Sequence, residues 1–277
     1  MKLILPEVPA LMQTAIRFLV STLMLLGWLG YKRHAVNSQA HLFKWGVMAG
    51  VLFTLEFLFI SLALTYTSPS RLTIFLYTSP FVVALVLPVF IPAERMGKMQ
   101  WAGLVCAFLA VLLVFVSPSN SGNAAPSITS SLIKPWVGDV LALLAGLAWG
   151  LTTVLIRAKG LTQLSAETLM LYQVAVSALV LSPLSLLGGQ HWLNILQATS
   201  QFSMLILIAQ VLCAFVSYLA WMWMLARYPA TKMSSFVFLS PVFTLIFSGL
   251  WLGEAITLNL IVALGLVGVG IALVNRK

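Results

Sequence analysis

Residues 71–94 read RLTIFLYTSPFVVALVLPVFIPAE, and residues 232–254 read KMSSFVFLSPVFTLIFSGLWLGE. In both, an apolar run carries a Ser-Pro pair near its middle and closes on a glutamate. Thr78-Ser79-Pro80 recurs 161 residues on as Leu239-Ser240-Pro241, and Glu94 recurs 160 residues on as Glu254. The neighbours keep the register: Pro69-Ser70-Arg71 faces Ala230-Thr231-Lys232, and residues 103–114 face 263–274 with a single-residue slip. Arg17 aligns with Gln173. The chain therefore reads as two copies of one unit, residues 1–116 and 136–277, joined by a Ser, Asn, Gly and Pro linker at 117–135. The second copy opens with an apolar segment at 135–157 whose counterpart would precede Met1, so the first copy is expected to lack its first helix.

Composition places both copies in lipid. Of 277 residues 61% are hydrophobic and only 8% charged, with a mean hydropathy of +1.05; a water-soluble chain carries about 25% charged residues. The apolar runs last about 20 residues, the length an α-helix needs to cross a hydrocarbon core of about 30 Å. In lipid only helices and closed barrels satisfy every backbone group, and the alternating segments of a barrel are not seen. Nine transmembrane helices are expected, at 11–31, 42–65, 71–91, 99–116, 136–157, 166–187, 201–225, 231–252 and 257–274. The fold class is an all-α membrane protein.

A net charge of +9 would suggest nucleic acid in a soluble protein, but here the basic residues lie between hydrophobic spans, where loop orientation accounts for them. Eleven fall on one face (Lys32, Arg33, Lys44, Arg95, Lys98, Arg157, Lys159, Arg227, Lys232, Arg276, Lys277) and three on the other (Lys2, Arg71, Lys134). Basic loops stay in the cytoplasm, so the C-terminus is expected inside. Nine spans then put the N-terminus outside, a second reason to expect an upstream helix. A complete copy of five helices is an odd number, so the two copies run oppositely through the membrane, the inverted-repeat arrangement of secondary transporters.

In this order and repetition, the Arg17-Phe18 pair, the Ala148-Trp149-Gly150 run leading to Arg157, and the two Ser-Pro to Glu modules resemble the drug/metabolite transporter superfamily, specifically its EamA-type two-repeat members. The resemblance covers nearly the whole chain. It implies a five-plus-five inverted repeat in a bacterial inner membrane, exporting amino acids or other small metabolites through a central cavity between the repeats.

Glu56 stands in the middle of an apolar span, where a carboxylate costs ~3 kcal/mol on insertion scales and must face protein or water. Two readings stand: a proton or cation site on the pathway, or a protonated side chain held by a neighbouring helix or by Arg17. Arg17 shares a helical face with Gln13 and Ser21, four residues apart, to meet a substrate carboxylate or Glu56, or to snorkel to the interface. Gln210, Ser217 and Trp221 share a face, and Trp149 lies mid-helix with Thr153. Tyr77, Tyr172, Gln173, Tyr218 and Phe238 supply flat apolar walls with a few polar groups, as a metabolite cavity requires; each taken singly is equally a packing residue. Pro80 and Pro241 occupy matching places inside helices, as hinges or as static kinks.

The glycine patterns Gly46 with Gly50, Gly146 with Gly150, and Gly265, Gly268 and Gly270 permit close helix approach, within the chain first and in a homodimer second. Glu94 and Glu254 are expected at the positive dipole ends of the helices that follow them, and Cys106 and Cys213 as small packing residues. Metalloprotease, hydrolase and phosphate-loop motifs are missing, so neither metal, cofactor nor catalysis is expected. The expected partners are a small-molecule substrate and the bilayer, with coupling to protons left open. The competing reading is a non-transporting remnant or membrane scaffold.

Overall fold

A chain that crosses lipid must pair its backbone groups within each segment, and this one does so in helices. The computed structural model describes residues 4, 7–31, 40–67, 69–116, 135–186, 192, 199–240, 243 and 258–275. The elements among them are all helical: α1 Ala10–Tyr31, α2 Ala40–Tyr66, α3 Pro69–Leu76, α4 Ser79–Phe90, α5 Lys98–Val116, α6 Pro135–Ala158, α7 Ala166–Leu186, α8 Gln201–Arg227, α9 Ala230–Ser235 and α10 Leu258–Asn275. Short 3-10 turns follow α4 at Pro92–Glu94, α6 at Leu161–Gln163 and α9 at Phe236–Leu239.

Six stretches among the described residues are long and apolar enough to cross a membrane: Ala10–Tyr31, His41–Tyr66, Leu72–Phe90, Trp136–Ala158, Ala166–Leu186 and Gln201–Arg227. The expected spans at 99–116 and 257–274 correspond to α5 and α10. Half of the expected span at 231–252 lies outside the described residues, as do Pro241 and Glu254. The burial pattern is inverted relative to a water-soluble protein. Gln13, Thr14, Arg17 and Ser21 of α1 are buried, while Leu23, Leu26 and Trp28 of the same helix are exposed; α8 exposes Leu205, Ile208, Leu212 and Val216 and buries Ser203. Apolar surface facing outward is what a helix presents to acyl chains.

The chain forms two compact units, and each draws on both sequence halves. One comprises residues 1–62 and 155–227, the other residues 63–154 and 228–277. In the first, α1 packs along α7, with α8 against both; a satellite of Ile4, Val8, Met12, Ile16 and Leu207 closes one end. In the second, α5 packs along α10. Gly103 and Gly270 let those backbones meet: a Cβ on either would sit 2.6 or 2.7 Å from the other's carbonyl oxygen. Gln100 Nε2 donates to the Val274 carbonyl at 2.9 Å, and Cys106 Sγ to that of Leu266 at 3.7 Å. Cys106 and Leu266 occupy matching places in the repeat, as do Tyr77 and Phe238, whose rings lie 5.5 Å apart in the core of this unit.

Several expectations change. Pro80 does not kink a helix interior. α3 ends at Leu76, the chain turns through Tyr77 and Thr78, and Pro80 falls in the first turn of α4, where its missing N–H has no helical acceptor to serve. Thr78 Oγ1 stitches the break by donating to the Phe75 carbonyl at 2.7 Å. Among the described residues the helix-interior prolines are Pro88 and Pro183, each withholding the N–H that the carbonyl four residues back would accept. At the register positions of the α3–α4 break, α9 gives way to the 3-10 turn Phe236–Leu239.

Glu94 does not cap the helix that follows it. It ends a 3-10 turn before α5 and its carboxylate serves Thr231, at the start of α9. Gly46, Gly50, Gly146 and Gly150 all lie under close neighbours, but of the third pattern only Gly270 does; a Cβ on Gly265 or Gly268 would meet nothing within 4 Å. Cys213 is exposed rather than packed.

Candidate functional site

The first unit concentrates buried polarity. Gln13, Arg17 and Ser21, spaced by four, project from one face of α1 and are 1%, 8% and 0% exposed. On α7 the register counterparts of Arg17 and Ser21 are Gln173 and Ser177, 1% and 0% exposed. Both copies thus present a polar pair one helical turn apart. Glu56 of α2 is 5% exposed.

Small residues make this geometry possible. A Cβ on Gly46 would lie 2.8 Å from the Tyr172 ring, and one on Gly50 would lie 2.6 Å from the Tyr172 carbonyl oxygen, so α2 meets α7 at backbone distance. One turn further along, Thr54 Oγ1 and Ser177 Oγ are 2.9 Å apart. Thr14 Oγ1 and Ser61 Oγ join α1 to α2 at 3.3 Å.

Four rings from three helices surround the charged groups. Phe18 lies 4.9 Å from Phe57 and 5.4 Å from Phe53, and Phe53 lies 4.9 Å from Phe57. Tyr218 of α8 closes the cluster, 5.7 Å from Phe53 and 6.0 Å from Phe57. Arg17 Cζ stands 5.3 Å from the Phe18 ring centre and 5.1 Å from that of Phe57, cation–π contacts worth about 2 kcal/mol when desolvated. The Arg17 guanidinium is within electrostatic reach of the Glu56 carboxylate, and both of the Tyr218 hydroxyl.

These groups are not satisfied by the protein. Arg17 Nε and Nη2, Ser21 Oγ, Glu56 Oε2 and both amide atoms of Gln173 are buried without a hydrogen-bond partner. Each such orphan costs about 1–3 kcal/mol, and more when charged. Buried polar atoms of this kind are completed by ordered water or by a ligand.

The expected site residues divide between the units. Arg17, Glu56 and Tyr218 fall within the polar and aromatic cluster, and Gln173 is buried on α7 with both amide atoms unpartnered. Tyr172 packs its ring on Gly46 and lies 5.9 Å from Phe43. Trp221 is half-buried on α8, and Ser217 is exposed, its hydroxyl donating to the Ala214 carbonyl of its own helix at 3.1 Å. In the other unit Tyr77 and Phe238 are core residues, Trp149 is half-buried on α6, and Pro80 opens α4. Phe53, Phe57, Thr54 and Ser177 went unnoticed in the sequence. Their signals were present: Phe53 and Phe57 flank Glu56, and Ser177 stands to Gln173 as Ser21 stands to Arg17.

Comparison with known proteins shows what the chain is similar to. The chain is 30% identical over 239 residues to an uncharacterized transporter of Archaeoglobus fulgidus, covering 86% of this chain and 78% of that one. It is 25% identical over 275 residues to the uncharacterized transporter YoaV of Bacillus subtilis, covering 98% and 89%. A protein of Salmonella typhimurium named a probable amino-acid metabolite efflux pump is 26% identical over 212 residues, covering 73% and 66%. A solved crystal structure superposes with a TM-score of 0.76 over 97% of this chain and 88% of that one at 17% identity, a likeness of fold. The profile of the EamA-like transporter family matches residues 1–116 and 136–276. This polytopic helical membrane protein, with its buried and unsatisfied polar cluster, belongs to the EamA-like transporter family.

Proposed function

We propose that the chain is a secondary transporter of the bacterial inner membrane that exports amino acids or other small metabolites by alternating access, its substrate passing the Arg17–Glu56 cluster. One observation carries the reading: in a member of a transporter family, charged and polar atoms of Arg17, Ser21, Glu56 and Gln173 are buried without partners, Arg17 beside the Phe18 and Phe57 rings. Each polar atom buried without a partner costs stability, so a cluster of them calls for an explanation beyond packing. The named activity of the Salmonella relative favours amino-acid metabolites and the outward direction.

The architecture proposed is two five-helix repeats, 1–116 and 136–277, inserted in opposite senses with the C-terminus in the cytoplasm. The contact of register counterparts supports it: α1 lies on α7, α5 on α10 and Tyr77 on Phe238. Two opposed repeats pack in this way about an axis in the membrane plane, and rocking one against the other alternates access to a midplane site. The turn before Pro80 interrupts a span, as the broken helices of transporters do, and is the proposed hinge.

The test is intracellular accumulation of a panel of toxic amino-acid analogues and other small metabolites in cells expressing the wild-type chain or Glu56→Gln. Lowered accumulation of one compound class, lost in the variant, is expected. Unchanged accumulation of every compound by the wild type would instead favour a non-transporting scaffold.

A further inference from the structure

We infer that the free edge of Arg17 is a carboxylate-recognition subsite, so that the substrate is a carboxylate-bearing amphiphile with a flat apolar body. The inference rests on reading the cluster as the substrate site and adds the group that decides what enters it. The unpartnered nitrogens are Nε and Nη2, and in a guanidinium these are the two whose N–H bonds point the same way along one edge. That edge is the fork a carboxylate meets with two parallel hydrogen bonds.

Glu56 does not fill it. Its Oε2 is also without a partner, although the two side chains lie within electrostatic reach. The Phe18 and Phe57 rings stand beside the guanidinium at 5.3 and 5.1 Å, and Phe53 and Tyr218 extend the apolar wall beyond them. A carboxylate seated on the fork therefore leaves its apolar body against rings. A phosphate would match the fork equally, but its second charge would enter a site with one cation and a neighbouring carboxylate, which disfavours it.

The experiment measures binding in the purified full-length chain in detergent micelles by isothermal titration calorimetry. It uses two matched pairs, 3-phenylpropionate with 3-phenylpropanamide, and phenylalanine with phenylalaninamide. In each pair the carboxylate is exchanged for a neutral amide of the same shape. In at least one pair the acid should bind about tenfold or more tightly than its amide, the worth of a charge-assisted pair of bonds, and Arg17→Gln should abolish that preference. Arg17→Lys, which keeps the charge and loses the fork, should reduce it; a merely structural loss would weaken acid and amide alike. Equal binding in both pairs, no binding in either, or a preference surviving Arg17→Gln overturns the inference. Export with equal binding of acid and amide would defeat this subsite alone. Acid-selective binding without export would leave the subsite standing and defeat the transport reading.

Discussion

Glu94 accepts two hydrogen bonds from Thr231, the backbone N–H at 3.0 Å and the hydroxyl at 3.2 Å, both on its Oε2. The carboxylate is 7% exposed and belongs to the first half of the chain, whereas Thr231 begins α9 in the second. The pair ties the two sequence halves together where their helices meet in one compact unit. Glu94→Ala would leave a buried backbone donor and a buried hydroxyl unanswered, a loss of about 2–3 kcal/mol. Thr231→Val removes only the hydroxyl and should cost about 1 kcal/mol. In the double variant the second substitution should cost almost nothing, because its acceptor has gone. Apparent melting temperatures of the four proteins in detergent provide the cycle, and simple additivity would contradict the pairing.

Two glycines in similar apolar helices should respond oppositely to the same substitution. A Cβ at Gly50 would be 2.6 Å from the Tyr172 carbonyl oxygen and 2.8 Å from Val176, whereas one at Gly27 would meet nothing within 4 Å. Gly50→Ala must push α2 off α7 and stretch the 2.9 Å contact of Thr54 with Ser177, costing about 1–3 kcal/mol. Gly27→Ala adds only helix propensity, about 0.5–1 kcal/mol in favour of folding. The observable is again the apparent melting temperature, which should fall for the first variant and hold or rise for the second.

Much of this was legible in the sequence because lipid imposes one rule on every span. Apolar runs of the right length became α1, α2, α5, α6, α7 and α8, and the register that pairs Thr78 with Leu239 also makes Tyr77 the counterpart of Phe238, which the structure brings into contact. The assortment of helices into units was not legible: which face of α1 meets α7 depends on small residues such as Gly46 and Gly50 admitting α2, and periodicity does not rank such faces. Pro80 was misread because a proline opening a helix and a proline bending one look alike when no charged residue separates the two halves of the run. Arg17 and Glu56 announced themselves through the cost of burying charge. Phe53 and Phe57 did not, since one phenylalanine among many apolar residues carries no mark of what it encloses.

The ring cluster predicts a graded effect on transport. Phe57 is the ring nearest the guanidinium, at 5.1 Å, and also contacts Phe18 at 4.9 Å and Tyr218 at 6.0 Å. Phe57→Leu keeps most of the apolar volume but removes the quadrupole facing Arg17, about 1–2 kcal/mol, or about five- to thirtyfold in apparent substrate affinity. Phe57→Tyr retains a ring and should stay within about threefold of wild type, below 1 kcal/mol. Concentration dependence of efflux from loaded proteoliposomes separates the two. Equal behaviour of the Leu and Tyr variants would mean that volume, not ring chemistry, is what the site uses at this position.

Outside the membrane-spanning segments, one carboxylate ties an end of the first unit to pH. Glu7 accepts from the Ser200 N–H at 2.8 Å and from the Ser200 hydroxyl at 3.1 Å. Ser200 in turn caps α8, its hydroxyl accepting from the Ser203 N–H at 3.2 Å. The carboxyl of Glu7 is held below its ordinary value of 4.5, chiefly by the Ser200 N–H, with side-chain bonds from Ser203 and Ser200 adding to it. A carboxyl depressed in the folded state stabilises that state fully above its unfolded value, and the contribution disappears as pH falls through the folded value. Wild type and Glu7→Gln should therefore differ most near neutral pH and converge in acid below 4.5. Because Glu7 is exposed, the difference is small and shrinks with added salt. Apparent melting temperatures of the two proteins from about pH 7 to about pH 3.5 test this; a gap that stays constant across the range would show that the Glu7 carboxylate does not titrate against the start of α8.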